Sequence, residues 1–395
     1  MPGPRIYMDW NATAPLLPEA REAFLSALDA VGNPSSVHGE GRAVRGMIER
    51  ARRDVAALCG AQAASVIFTS GATEAANMVL TPDFRMGRTP LKLGKLYVSA
   101  IEHPAVREGG RFAREDVCEV PVTSSGVVDC VALETLLSAH DRQSGLPMVA
   151  VMLANNETGI VQPIAEVAAI VRAHGGLLVV DAVQAAGRLP LSIESLGTDF
   201  LIVSSHKIGG PKGAGALVAR GEVMVPAPLI RGGGQEKGHR SGTENAPALV
   251  GFGAAARVAV ENLEVRTAAI AALRDRLEVE MLESAPDVVI HGRDAPRIAN
   301  TSFFTLPGLK AETGQIAFDL EGVALSAGSA CSSGKVGQSH VLTAMGYDPR
   351  QGALRLSIGA STTQAEIERC AAVFAKVASR RRSTGTGRVN AECLE

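Results

Sequence analysis

The residues best suited to chemistry stand where apolar runs stop. In the stretch 198–219, TDFLIVSSHKIGGPKGAGALVA, the run Phe200 to Val203 ends in two serines, a histidine and Lys207, and glycines then lead into a second apolar run. In 176–184, GLLVVDAVQ, the run ends on Asp181, with Gln184 just beyond. Short apolar runs bounded by turn residues read as buried strands, and ligands gather at strand ends in open α/β sheets. A lysine there serves as a salt-bridge partner, as a point charge on a phosphate, or as a covalent group. The motif alone leaves all three open.

A carboxylate and an amine pointed into one crevice by neighbouring strands suit pyridoxal phosphate, with the lysine as Schiff base and the acid keeping the ring nitrogen protonated. Other polar residues recur at strand ends: His103 after KLYVSA, and Asn155, Asn156 and Glu157 after PMVAVMLA. In ASVIFTSGATEAANMVL a strand turns at Ser70 and Gly71 into a helix with Thr73 in its first turn. Helix-start amides beside a hydroxyl can seat a phosphate; Thr73 and Glu74 serve equally as a plain cap and first-turn charge. A histidine after a strand is also a common structural hydrogen-bonding residue.

The elements that must position these residues alternate strand and helix from about 64 to 220, an α/β pattern. Residues 16–250 are read as a large domain with a mainly parallel sheet, 1–15 as a segment packing near a smaller domain, 251–379 as that α+β domain, and 380–395 as a disordered tail. The glycine-rich loop LIRGGGQEKGHRSGTENAP reads as an exposed segment open to an inter-subunit contact. The 39 basic and 41 acidic residues give no reason to expect nucleic acid or anionic membrane as ligand. No window approaches the roughly 20 apolar residues of a spanning helix, and the expected location is the cytoplasm.

The six cysteines, at 59, 118, 130, 331, 370 and 393, show no metal-ligand spacing, so no metal is expected. Their usage fits a reducing compartment. Cys59, Cys118, Cys130 and Cys370 lie in or beside apolar helix faces and strand-like runs, and Cys393 in a polar tail. Cys331 differs. It sits in a run of Ser, Gly and Ala with Lys335 nearby, where bulky side chains are too few to hold the loop down and a thiolate costs less.

The ordered set DWNATAP, GNPSSVHGEGR, TSGATEAAN, IEHPAV, NNETGIVQPI, DAVQAAGRLPL, SSHKIGGPKGAGAL, GGGQEKGHRSGTEN, SAGSACSSG, SHVL and LRLSIG resembles the cysteine desulfurases of the class-V aminotransferase superfamily. Within that family it is most similar to the nitrogenase and iron–sulfur-cluster-assembly branch, with the longer cysteine loop, here 326–338. The resemblance implies the fold type I, aspartate-aminotransferase-like architecture and pyridoxal 5'-phosphate. It implies Lys207 as the Schiff-base lysine, Asp181 at the ring nitrogen, His103 stacked on the ring and aiding proton transfer, and Gln184 at the ring hydroxyl. Ala72, Thr73, Ser204 and His206 match phosphate contacts, and Thr243 one supplied by the second subunit of a homodimer. Asn156 matches a contact to cofactor oxygen or substrate carboxylate, Arg355 the carboxylate-binding arginine, and Asn11 a further substrate contact. Trp10 before Asn11, and Ala327 in place of a common serine, are the departures.

The implied reaction converts L-cysteine to L-alanine and leaves the sulfur as a persulfide on Cys331, for delivery to an acceptor such as an iron–sulfur scaffold. A selenocysteine lyase or aminotransferase would not need the loop thiol in every turnover. A non-enzymatic binding platform would give no reason to keep a lysine, an acid and an arginine together.

Overall fold

The computed structural model describes residues 5–328 and 338–386. Contacts divide the chain into a larger unit, Thr13–Asn155 with Val161–Leu263, and a smaller one, Met1–Ala12 with Asn156–Ile160 and Glu264–Glu395.

The larger unit is built on a nine-stranded sheet. In chain order its strands are β1 (Val66–Thr69), β2 (Asp83–Met86), β3 (Thr89–Ser99), β4 (Val117–Val120), β5 (Leu146–Met152), β6 (Leu177–Asp181), β7 (Phe200–Ser204), β8 (Gly215–Ala219) and β9 (Met224–Pro226). Their order is β9-β2-β3-β5-β6-β7-β8-β1, with β4 beside β3. The sheet is mixed, with a parallel centre: β3, β4, β5, β6 and β7 run parallel, while β7 to β8, β8 to β1, β3 to β2 and β2 to β9 are antiparallel. The middle strands lack polar alternation because both faces are covered. Leu177, Val179, Phe200, Ile202 and Leu217 join Met148 and Ala150 in one core cluster.

The helices α1 (Pro18–Leu28) and α2 (Gly39–Leu58) pack against α4 (Ala246–Val260), and α3 (Ala72–Val79) follows β1. The division between units falls after Leu263 rather than near 250. The reason is α4 itself, which buries residues all round, among them Leu249, Phe252 and Ala254 to Ala256, and so caps α1 and α2 instead of opening the next unit.

Among the described residues the smaller unit holds a four-stranded sheet of β10 (Val289–Ile290), β11 (Thr301–Thr305), β12 (Ser326–Ala327) and β13 (Leu354–Ser357), in the antiparallel order β10-β11-β13-β12. Ile6–Tyr7 pairs in parallel with Val323–Ala324, tying the N-terminal segment to this unit. Phe304, Phe318, Phe374, Leu277 and Met281 fill its core. The helix Gln364–Thr386 opens on a reciprocal capping box, Thr363 N–H donating to Glu366 at 2.7 Å and Glu366 N–H to Thr363 at 3.3 Å. It continues past Arg380, where the sequence reading placed a disordered tail.

Candidate active site

In the larger unit Asp181 is the last residue of β6, paired in register with Ile202 of β7, and Lys207 lies in the 3-10 turn Ser205–Lys207 that follows β7. Burial pushes the Asp181 carboxyl up to about 6, while the Val183 N–H, 2.9 Å from Oδ1, and the Lys207 charge favour its ionised form. The amine and the acid therefore feel each other, as the strand-end reading requires. Ser204 is buried at the end of β7, and Lys207 is half-buried.

His103 caps the short helix Pro104–Arg107, its Nδ1 accepting the Ala105 N–H at 3.1 Å. In the neutral ring the proton is thereby assigned to Nε2. His206 lies 3.2 Å from Thr13 Oγ1, and burial, then the Lys207 and Lys212 charges, push it down to about 4, so it is neutral at pH 7. Gln184 is buried, its Oε1 accepting from Arg188 at 2.9 Å, so its amide nitrogen is the donor end.

The turn into α3 carries no side-chain cap at Gly71. A Cβ on Gly215 would stand 2.6 Å from the Gly71 carbonyl carbon, so glycine lets β8 approach this turn. Ala72 is half-buried and Thr73 exposed. Glu74 accepts the Ser70 N–H at 2.9 Å and pairs with Arg240 at 2.9 Å, so the acid braces the turn and leaves the hydroxyl to Thr73. Thr243 is exposed in the loop before α4.

Glu102, beside His103, is an acid that the sequence reading assigned no role. It is fully buried, and its Oε1 accepts from Ser99 Oγ at 2.5 Å and from the N–H of Met152, the register partner of Asp181, at 2.8 Å. Burial and the Asp181 charge push it up to about 8, so at neutral pH it is mostly the uncharged acid. An acid directly before a strand-end histidine was the available signal.

In the smaller unit Arg355 on β13 is buried. Its guanidinium donates to the Asn156 carbonyl at 2.9 Å and to Asp9 Oδ1 at 2.7 Å, and Nε has no partner among the described residues. Asn156 is buried. Asn11 donates to Thr301 Oγ1 at 2.9 Å and to the Asn156 carbonyl at 3.3 Å and accepts from Asn300 at 3.0 Å, so it orders the Asn156 backbone. Asp9 was also missed; an acid in the DWNATAP loop was the signal. Cys331 lies outside the described residues. The described cysteines are unpaired, and burial pushes Cys59 and Cys370 up to about 12, which makes them inert. Among the described residues no cluster suited to a metal occurs.

A half-buried amine, a half-buried strand-end acid whose ionised form it favours, an uncapped helix start and a donor amide form a set that fits pyridoxal phosphate. The profile of the class-V aminotransferases matches residues 6–370, and the chain belongs to that family. It is 37% identical over 385 residues to the IscS-like cysteine desulfurase of Mycobacterium tuberculosis, covering 95% of this chain and 97% of that one. A NifS-like protein from Rickettsia africae superposes with a TM-score of 0.85 at 33% identity, over 95% of this chain and 99% of the other. A structure described as SspA in complex with cysteine superposes with a TM-score of 0.73 at 27% identity, over 91% and 100%. The fold is thus fold type I of the pyridoxal-phosphate enzymes, and pyridoxal 5'-phosphate is the cofactor.

Proposed function

We propose that this chain is a pyridoxal-phosphate-dependent cysteine desulfurase that converts L-cysteine to L-alanine and takes the sulfur as a persulfide on Cys331. The observation that carries the reading is the placing of the half-buried Asp181 and Lys207 at the ends of two adjacent, register-paired strands, in a chain 37% identical to an IscS-like cysteine desulfurase. When bound, the cofactor supplies an electron sink for charge developing at the substrate Cα.

The residues do the rest. Asp181 offers a negative charge to the ring nitrogen, Gln184 donates its amide N–H to the ring oxygen, and His103 covers the ring with Nε2–H available for proton traffic. Ala72, Thr73, Ser204 and neutral His206 hold the phosphate, and Thr243 reaches the phosphate of a second subunit in a homodimer. Lys207 moves the proton at the substrate Cα. Arg355 and Asn156, ordered by Asn11, take the substrate carboxylate. The Cys331 thiolate attacks the substrate sulfur; the new S–S bond forms as the Cβ–S bond breaks, the electron pair passes to carbon, and a proton completes alanine.

The persulfide then goes to an acceptor such as an iron–sulfur scaffold. Relatives described as IscS-like and NifS-like support that destination, and unpaired cysteines support a reducing, cytoplasmic setting.

The test is Cys331→Ser in the holoenzyme. L-cysteine should still change the cofactor absorbance, while mass spectrometry finds no added sulfur and alanine formation falls by about 10²-fold or more. Wild-type sulfide release from this variant would overturn the assignment.

A further inference from the structure

Asp9 contacts Arg355, Glu157 feels its charge, and the two carboxylates reach described residues on either side of the segment that carries Cys331. Asp9 gives Oδ1 to Arg355 at 2.7 Å and Oδ2 to the Ser326 hydroxyl at 2.9 Å, and Ser326 is the ladder partner of Arg355. Ser326 opens β12, which ends at Ala327 and is followed by Gly328, whose N–H donates to the Ala353 carbonyl at 2.9 Å. Glu157 is buried and accepts the Ser339 hydroxyl on Oε2 at 2.6 Å. Ser339 in turn accepts the Leu342 N–H at 3.1 Å and caps the helix His340–Ala344. The same Oε2 would stand 3.2 Å from a Cβ on Gly328, and the Phe303 ring would stand 2.7 Å away, so glycine lets the near foot sit against Glu157.

One buried acid thus meets both feet, Gly328 and Ser339. Burial pushes Glu157 up to about 7, and the Ser339 hydroxyl and the Arg355 charge pull it down. Its charge is therefore poised against the charge of Arg355.

We propose that Glu157 is a positioning residue for sulfur transfer, holding Gly328 and Ser339 as the two fixed feet of the Cys331 segment and, together with Asp9, tying those feet to Arg355. The proposal rests on the desulfurase reading and adds to it a residue to which that reading gives no role. A misplaced reacting group costs about 10²-fold in rate when it moves by roughly 1 Å, so the effect belongs to the thiol step and not to substrate capture.

The test uses holoenzyme carrying Glu157→Ala, Glu157→Gln, Ser339→Ala or the double Glu157→Ala/Ser339→Ala. Two quantities are followed: the L-cysteine concentration at half-maximal change of cofactor absorbance, and the rate of sulfur addition to Cys331 by mass spectrometry. Glu157→Ala and Ser339→Ala should each slow sulfur addition by about 10- to 100-fold while moving the absorbance midpoint by less than about 3-fold. The double variant should be no slower than Glu157→Ala, and Glu157→Gln, which still accepts the hydroxyl, should recover most of the rate. Equal losses in both quantities, or wild-type sulfur addition by Ser339→Ala, would overturn the proposal. Ser339→Ala decides the matter if Glu157→Ala does not fold. Wild-type protein that never gains sulfur would instead sink the desulfurase reading.

Discussion

The two units bury charge in opposite ways. In the larger one an acid stands behind an acid: Asp181 faces Glu102, and the pair stays tolerable because Glu102, pushed up to about 8, gives up its charge. In the smaller one a cation stands between acids, with Asp9 on the Arg355 guanidinium and Glu157 within reach of its field. In the first arrangement Asp181 stands beside the Lys207 charge, and under the proposed function it would also face a protonated ring nitrogen. The second sets Asp9 on the guanidinium yet leaves the buried Arg355 Nε without a partner among the described residues, a donor that under the proposed function would meet an incoming carboxylate. In both units burial raises the carboxyls, and hydrogen bonds and neighbouring charge then adjust each one.

The comparison breaks hardest at Lys207. Lys207→Ala should lower alanine formation by about 10³-fold or more, because it removes both the amine and the proton carrier; near-normal turnover would break the assignment. Asp181→Asn comes next, with a loss of about 10²-fold and weaker cofactor retention after dialysis, since the amide offers no charge to the ring nitrogen. Arg355→Lys tests the other region. It should raise KM for L-cysteine by about 10-fold with a smaller change in kcat, because a lysine cannot reproduce the fork.

Glu102→Gln sharpens the contrast through pH. A carboxyl whose folded pKa is raised above its unfolded value stabilises the fold below the ordinary carboxylate range, and that stability is lost as pH rises through about 8. Wild type should therefore lose on the order of 2–4 kcal/mol between pH 5 and pH 9 from this group, at about 1.4 kcal/mol per pKa unit, and Glu102→Gln should not. Thermal unfolding of the two holoenzymes at both pH values measures it; parallel losses would show that Glu102 is charged throughout. The smallest effect is expected at Thr363→Ala, which removes half of a capping box far from the chemistry and should cost about 1 kcal/mol without changing KM.

What the sequence by itself determined was local. Apolar runs ending at Asp181 and Lys207 are strand ends because a strand buried on both faces needs unbroken apolar residues, and the capping box at Thr363 and Glu366 is set by a spacing of three. The order of motifs was enough to place the family. Tertiary structure alone decided which acids keep their charge: Glu102 and Asp181, or Asp9, Glu157 and Arg355, are far apart along the chain, and a pKa depends on burial and on the charge next door in space. It also decided that the helix Ala246–Val260 belongs with the larger unit and that Asn156–Ile160 belongs with the smaller. An apolar helix or a five-residue loop packs where a complementary face is presented, and that face is made by residues from elsewhere in the chain.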